Sequence, residues 1–293
     1  MAAKDLFSTG VQRARRFYLE SGSTRADLRV VCGGWERCSS DYEVRRDGFP
    51  MFGIEYVAGG EGDLTLGGRP YRLSPGTVFS YGPGVAQVIG SDRRRVLDKY
   101  FVDFSGRAGE RLIADAGLDG GQVRQVAAPE RISVIFEDLI VNGLRQTAYS
   151  GAICAAILRH LLLALCECAV PFGTLATPGF ATYARCRRHL EEHALTVRSL
   201  AVAAAQCGVS EAYFCRLFQR FDRQSPYQAL TRLRMREAVR RFETPGSRVA
   251  TVAAAVGYDD PFHFSRVFKR VYGVSPQQFR RVRARSAPVD ALD

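Results

Sequence analysis

The chain has 293 residues, enough for two ordinary domains that each bury their own core, so it has no need of disulfide staples. Its eight cysteines include no Cys-x-x-Cys pair, no apolar leader opens it, and its longest apolar run, Ile153 to Cys168, is broken by Arg159 and His160 and falls short of the ~20 residues of a membrane span, which argues for a cytoplasmic protein with no membrane partner. The formal net charge of +11 sits at one end: residues 1–180 hold 21 Lys and Arg against 20 Asp and Glu, whereas residues 181–293 hold 20 against 10. That asymmetry is the footprint of polyanion binding and leaves DNA, RNA and an anionic membrane to be separated by motif.

In chain order, Asp5 to Glu20 reads as an early helix. Short β-rich runs follow: Leu28–Cys32, Tyr42–Arg46, Phe52–Val57, Asp63–Leu66, Thr77–Tyr81, Val85–Ile89 and Val96–Phe104, divided by Gly59-Gly60, Gly67-Gly68, Ser74-Pro75-Gly76 and Gly82-Pro83-Gly84. Closely spaced strands with such turns predict a small barrel or jelly roll. From Pro129 the period changes to that of a helix, with Ile132, Ile135, Phe136, Leu139 and Ile140 on one stripe ended by Gly143. A second helix, Gly151 to Cys168 with Ser150 as its cap, is apolar around most of its circumference and must cover the barrel, a partner subunit or both. Pro171 to Gly179 is uncharged and broken by proline and glycine, the signature of a linker. The expected division is a domain over 1–170, a linker over 171–180 and an all-helical domain over 181–285.

The basic third contains a repeat. Leu200 to Gly208 matches Val249 to Gly257 at an offset of 49, and Phe214, Arg216, Phe218, Arg220, Ser225 and Pro226 match Phe264, Arg266, Phe268, Arg270, Ser275 and Pro276 at 50. Each copy reads as an alanine-rich helix, a glycine turn at Gly208 or Gly257, and a second helix, which is a helix-turn-helix. In the first copy Ser210 is placed to cap, and Phe214, Leu217, Phe218 and Phe221 form the inward face. Ala212, Cys215, Arg216 and Gln219 are left outward, with Arg220 and Arg223 on the flank. In the second copy Phe264, Val267, Phe268 and Val271 pack, and Phe262, His263, Arg266, Lys269 and Arg270 face out. Arginine can bridge guanine O6 and N7, glutamine can pair with adenine, and Lys with flanking Arg suits phosphates, so the pattern points to major-groove reading of double-stranded DNA. Pro226 to Glu243 connects the copies as a helix ~27 Å long, close to the ~34 Å duplex repeat.

With these residues in hand, the chain resembles the AraC/XylS family of bacterial transcription activators. Gly257-Tyr258 and Phe264-Ser-Arg-Val-Phe-Lys-Arg-Val-Tyr-Gly-Val-Ser-Pro-Gln-Gln-Phe-Arg280 carry the resemblance, with Gly60-Glu-Gly62 and Tyr71-Arg-Leu-Ser-Pro-Gly76 in the β-rich part. The resemblance implies an α+β multidomain chain: a cupin-like β-barrel with dimerisation helices, then two helix-turn-helix units. It also implies base contacts near Ala212, Cys215 and Arg216, a homodimer contact through Ile157, Leu161 and Leu165, RNA polymerase as a partner, and a small-molecule effector such as a sugar. Arg45, Lys99 and Phe101 fall where a sugar-responsive relative lines its pocket; Tyr42, Glu55, Tyr81 and Gln87 are further effector candidates. Gln87 stands where many relatives place a histidine.

No catalytic residue, cofactor or metal is expected, since His160, His189, His193 and His263 all fall on predicted helices and the barrel segment has none. Two other readings stay open: a metal-dependent cupin enzyme tethered to DNA, and a regulator that senses stress through cysteines such as Cys215 on the DNA face, Cys32 with Cys38, or Cys166 with Cys168.

Overall fold

The computed structural model describes residues 10–19, 27–222, 224–244 and 246–285, and the chain divides into two compact units, Met1–Leu175 and Ala176–Asp293. In the first the elements run β1 (Val11–Tyr18), β2 (Arg29–Cys38), β3 (Glu43–Arg46), β4 (Phe52–Gly59), β5 (Gly62–Leu66), β6 (Arg69–Leu73), β7 (Thr77–Tyr81), β8 (Gln87–Ser91), β9 (Asp98–Ser105), α1 (Arg107–Asp115), β10 (Val123–Val126), α2 (Pro129–Leu144), α3 (Ser150–Cys168) and β11 (Ala169–Pro171). Among the described residues they form two sheets, β1-β2-β9-β4-β7-β10-β11 and β3-β8-β5-β6.

Strand β9 shows how alternation builds the unit. Tyr100, Val102 and Phe104 join Ile54, Tyr56 and the apolar faces of α2 and α3 in one core, while Phe101 joins Phe79, Leu64, Leu66 and Ile89 in a second core between the sheets. Lys99 and Asp103 share the inward parity of Phe101 and are buried with it. One face of the larger sheet is therefore dry and helix-covered; the other is the barrel interior.

Several expectations are corrected here. Val11–Tyr18 is a strand, paired antiparallel with β2 from Val11↔Cys38 to Tyr18↔Cys32, where a helix was expected; residues 5–9 and 20 of that helix lie outside the described residues. Its local composition suits a helix, but the open edge of β2 supplies hydrogen bonds, and exposed arginines at 13 and 15 suit an edge strand. Gly143 closes the buried stripe of α2 one residue before the helix ends at Leu144, as the sequence indicates, and a Cβ there would sit 2.3 Å from the Phe17 ring of β1. Ser150 does not cap α3: its Oγ accepts from Thr147 N at 3.0 Å and donates to Asn142 O at 3.0 Å, tying the helix start to the end of α2. At 19 residues α3 is long and apolar enough to cross a membrane, unlike the shorter run read from sequence, yet Leu158, Leu161, Leu162 and Leu165 are buried against α1, α2 and β2. Strands β6, β10 and β11 and helix α1 are not anticipated by the sequence pattern.

The second unit is helical: α4 (Pro178–His193), α5 (Leu200–Gln206), α6 (Glu211–Asp222), α7 (Pro226–Phe242), α8 (Val249–Ala255), α9 (Pro261–Tyr272) and α10 (Pro276–Arg285). Within the nominal linker, Thr177 caps α4 by accepting from Phe180 N at 3.2 Å. The repeat extends to capping: Ser225 with Gln228, and Ser275 with Gln278, each exchange side-chain and backbone hydrogen bonds of 2.9 to 3.2 Å behind a proline at the first helical position. Because Phe17 occupies the space a Cβ would need, Gly143→Ala should destabilise the protein by about 1–3 kcal/mol despite alanine's better helix propensity; an unchanged urea midpoint would show that α2 is not docked on β1 in this way.

Candidate nucleic-acid interface and buried polar cluster

Helices α6 and α9 occupy matched places in the repeat, and the turn before each holds a glycine in the left-handed region, Gly208 at φ 68° and Gly257 at φ 81°. Ser210 Oγ accepts from Tyr213 N at 3.3 Å at the start of α6, and Asp260 accepts from Phe262 N and His263 N at 2.8 and 3.0 Å at the start of α9. Phe214, Leu217, Phe218 and Phe221 are buried on α6, as are Phe264, Val267 and Phe268 on α9. Arg187 of α4, steadied by a 3.0 Å hydrogen bond to Tyr183 Oη on its own helix, holds the far end of α6 through a 2.8 Å ion pair with Asp222.

With those faces committed to packing, Ala212, Arg216, Gln219 and Arg220 of α6 are exposed or half-exposed and Cys215 is half-buried beside them. Phe262, His263, Arg266, Lys269 and Arg270 of α9 lie outward as well, Phe262 at 81% exposure. The Arg216 guanidinium lies 5.6 Å from the Tyr213 ring and that of Arg220 lies 5.1 Å from the Phe221 ring, so both stems are steadied by aromatic faces while their donors stay open. Val271, expected to pack, is instead 39% exposed, because the apolar stripe of α9 closes at Phe268. Arg223 lies outside the described residues.

In the first unit the barrel interior is polar at its centre. Lys99 is 1% exposed, with Nζ 3.0 Å from Glu36 Oε2 and 2.9 Å from Glu55 Oε2, the latter a close ion pair without hydrogen-bond alignment. It lies 5.4 Å from the Tyr42 ring and 5.6 Å from the Phe101 ring, so the structure brings Lys99, Phe101, Tyr42 and Glu55 together. Burial would lower the Lys99 pKa, but the two carboxylates hold it well above the usual lysine value; burial would raise Glu36, but Lys99 and Arg16 hold it below the usual carboxylate range. Burying one ammonium with two carboxylates is tolerable only because each carries a partner.

A second group adjoins it. Tyr81 Oη donates to Asp103 Oδ1 at 2.8 Å and the Cys32 thiol donates to Asp103 Oδ2 at 3.2 Å. Burial outweighs both donors and pushes the Asp103 carboxyl up to about 7. Gln87 is 1% exposed, and neither of its amide atoms has a hydrogen-bond partner. Across the sheet its register partners are Arg46 in β3 and Leu66 in β5.

Arg45 is the exception among the expected pocket residues. Its side chain is 69% exposed and pairs with Glu43 outside the barrel, whereas Arg46 stacks 5.1 Å from the Phe49 ring and 5.7 Å from the Tyr81 ring. A shift of one residue inverts inside and outside in a strand, and that shift separates expectation from structure. Glu36, Arg46 and Asp103 were missed, although Asp103 stands four residues beyond Lys99 and thus shares its face.

The cysteines are mostly sheltered: Cys32, Cys38, Cys154, Cys186 and Cys207 are buried, and burial pushes the Cys38 thiol up to about 12. Among the described residues no group of three or more His, Cys, Asp or Glu is placed to hold a metal ion.

Residues 34–162 match the AraC-like ligand binding domain, and residues 203–282 match a helix-turn-helix domain that spans both copies of the repeat. The chain belongs to the AraC family of DNA-binding transcription regulators. It is 27% identical over 268 residues to the MmsAB operon regulatory protein of Pseudomonas aeruginosa, covering 87% of this chain and 83% of that protein. It is 26% identical over 267 residues to the raffinose operon transcriptional regulatory protein of Pediococcus pentosaceus, covering 87% and 94%. Among solved structures it is similar to the C-terminal domain of AraT, a response regulator from Geobacillus stearothermophilus, at 27% identity, 40% of this chain, 95% of that one and a TM-score of 0.35.

In this AraC-family chain the ligand-binding domain thus contains a carboxyl whose proton is held more tightly folded than unfolded. Such a group contributes most below its unfolded pKa of about 4, and its contribution is lost as pH rises towards 7. Relative to Asp103→Asn, the wild type should lose unfolding free energy over that interval in parallel urea titrations. A difference that stays flat with pH would show that Asp103 ionises normally.

Proposed function

We propose that this protein is an effector-controlled regulator in which α6 and α9 lie in successive major grooves of a promoter while the barrel interior receives a small polar ligand. The observation that carries the DNA assignment is the repeated placement of Arg216 and Arg266, each on the side of its helix opposite a buried aromatic stripe, in a unit with 20 Lys and Arg against 10 Asp and Glu. Arg216, Gln219, His263 and Arg266 read base edges; Arg220, Lys269 and Arg270 hold phosphates; Ala212, Cys215 and Phe262 offer apolar contact to thymine methyls.

Effector binding rests on Gln87, whose buried amide is an unmet hydrogen-bonding demand in β8 opposite its register partner Arg46. Tyr42, Glu55, Lys99 and Phe101 complete a lining of donors, acceptors and aromatic faces suited to a polyhydroxylated or anionic molecule. The regulator of the raffinose operon among its relatives favours a sugar.

Homodimerisation belongs to the same reading, through different residues from those first expected. Ile157, Leu161 and Leu165 are buried within their own unit, whereas Ile153, Ala156, His160 and Leu163 form an exposed stripe along α3. Activation through contact with RNA polymerase, in the cytoplasm, completes the proposal.

Arg216→Ala and Arg266→Ala should each weaken binding to a promoter fragment by about 1–3 kcal/mol, and Lys269→Ala should reduce the salt slope by about one charge, both read by footprinting across a salt series. Unchanged affinity in the double arginine variant would remove α6 and α9 from the interface. For the effector, a thermal-shift screen of sugars and carboxylic acids should find a ligand whose stabilisation is lost in Gln87→Leu; equal shifts in both proteins would place the site elsewhere. Ile153→Glu with Leu163→Glu should convert a dimer to a monomer in analytical ultracentrifugation, and a persistent dimer would acquit this face of α3.

A further inference from the structure

The DNA-binding unit holds two apolar clusters that meet along α7. Leu230 is buried in the first and Leu233 packs against it; Met235, Ala238 and Phe242 belong to the second. The joint between them is grooved, with about 440 Å³ of space bounded in part by Arg187, Leu233, Arg236, Val271 and Tyr272. Apolar packing across so open a joint constrains the angle between the two halves weakly, since side chains that face a gap have no neighbour to attract.

One side chain bridges the halves with directional bonds. Arg234, midway along α7, donates from Nε to Ala194 O at 2.9 Å and from Nη2 to Val197 O, both in the segment leading from α4 to α5. From Nη1 it donates to Gly257 O at 3.2 Å, in the turn between α8 and α9, and its guanidinium lies 5.6 Å from the ring of the neighbouring Tyr258. Burial lowers its pKa, and these three hydrogen bonds go to backbone carbonyls rather than to a carboxylate. Ala194 follows the last turn of α4, where carbonyls lack intrahelical partners and the helix dipole favours a cation. The fit is close on the other side too: a Cβ on Gly257 would stand 2.9 Å from Arg234 Cζ, so a side chain there would push the guanidinium from this position in addition to straining the positive φ.

We infer that Arg234 is a positioning residue that sets the separation and angle of the two recognition helices, and so determines which spacing between the two DNA half-boxes the protein accepts. A planar fork with fixed donor directions can hold three carbonyls in one geometry, and a lysine cannot. Arg234 has no need to touch DNA; it acts through the α4–α5 segment and the α8–α9 turn, which aim α6 and α9. The inference rests on both helices engaging DNA together.

The test uses the full chain. Sites are first selected by the wild type from a randomised duplex library and footprinted, and fragments are then made with the two half-boxes at the selected spacing, with one or two base pairs inserted or removed between them, and with a single half-box. The wild type should bind the altered spacings about tenfold or more weakly. Arg234→Met keeps the buried stem and removes the donors. It should bind the selected fragment about tenfold more weakly, lose most of the spacing penalty, and match the wild type on a single half-box to within about twofold. Arg234→Lys, which keeps the charge, should show the same relaxation to a smaller degree and covers the case in which the methionine variant does not fold. An unaltered spacing penalty in the folded variants overturns the inference while leaving the two-helix reading intact, as does a parallel loss on the single half-box, the mark of general destabilisation. A wild type indifferent to spacing overturns both.

Discussion

The DNA-binding unit depends on one packing constraint: the phenylalanines of α6 and α9 must leave water, and on a helix a stripe buried at the third and fourth positions commits the opposite side to solvent. Phe214 and Phe218 lie 5.0 Å apart in one half, and Phe264, Phe268 and Phe242 gather in the other. Because these rings are held by several neighbours, the arginines opposite them are presented without needing partners of their own. The glycine turns at 208 and 257 and the serine–glutamine caps before α7 and α10 bound the repeated segments, so the two copies reproduce one another in local geometry as well as in residue type.

A different constraint organises the barrel. Period-two alternation sends β9 into two environments, tyrosine, valine and phenylalanine to the helices and lysine, phenylalanine and aspartate to the interior. The interior side is costly to bury, and its charges persist because Lys99 is held between Glu36 and Glu55 while Asp103 accepts from Tyr81 and Cys32. A core so polar makes a poor stabiliser and a good receptor: its groups are already desolvated and aimed, and Gln87 has bonding capacity to spare.

The points at which the sequence misled share a cause. Arg45 and Arg46 are adjacent and chemically identical, so composition cannot say which one faces in; the pairing of Arg46 with Gln87 decides it. Val11–Tyr18 carries no strong strand signal and becomes a strand because β2 has an edge to fill. The contact of Gly143 is hidden for the same reason: Phe17, more than a hundred residues away, occupies the place of its missing side chain. Ile157, Leu161 and Leu165 are as apolar as a dimer seam would need, yet their own sheet claims them first.

What the sequence by itself determined were the features carried by local period and repetition: the basic helical third, its duplication, the buried faces of α6 and α9 and the arginines opposite them, and the β-rich character of the first half. These are legible because a helix's inward face follows from spacings of three and four residues within a single turn or two. Only the tertiary structure decided the register of the strands, the grouping of Glu36, Glu55 and Lys99, and the bridging of two helix-turn-helix halves by Arg234. Each of those depends on groups far apart in the chain meeting in space, and no period in the sequence encodes which distant backbone carbonyl or carboxylate a buried cation will find.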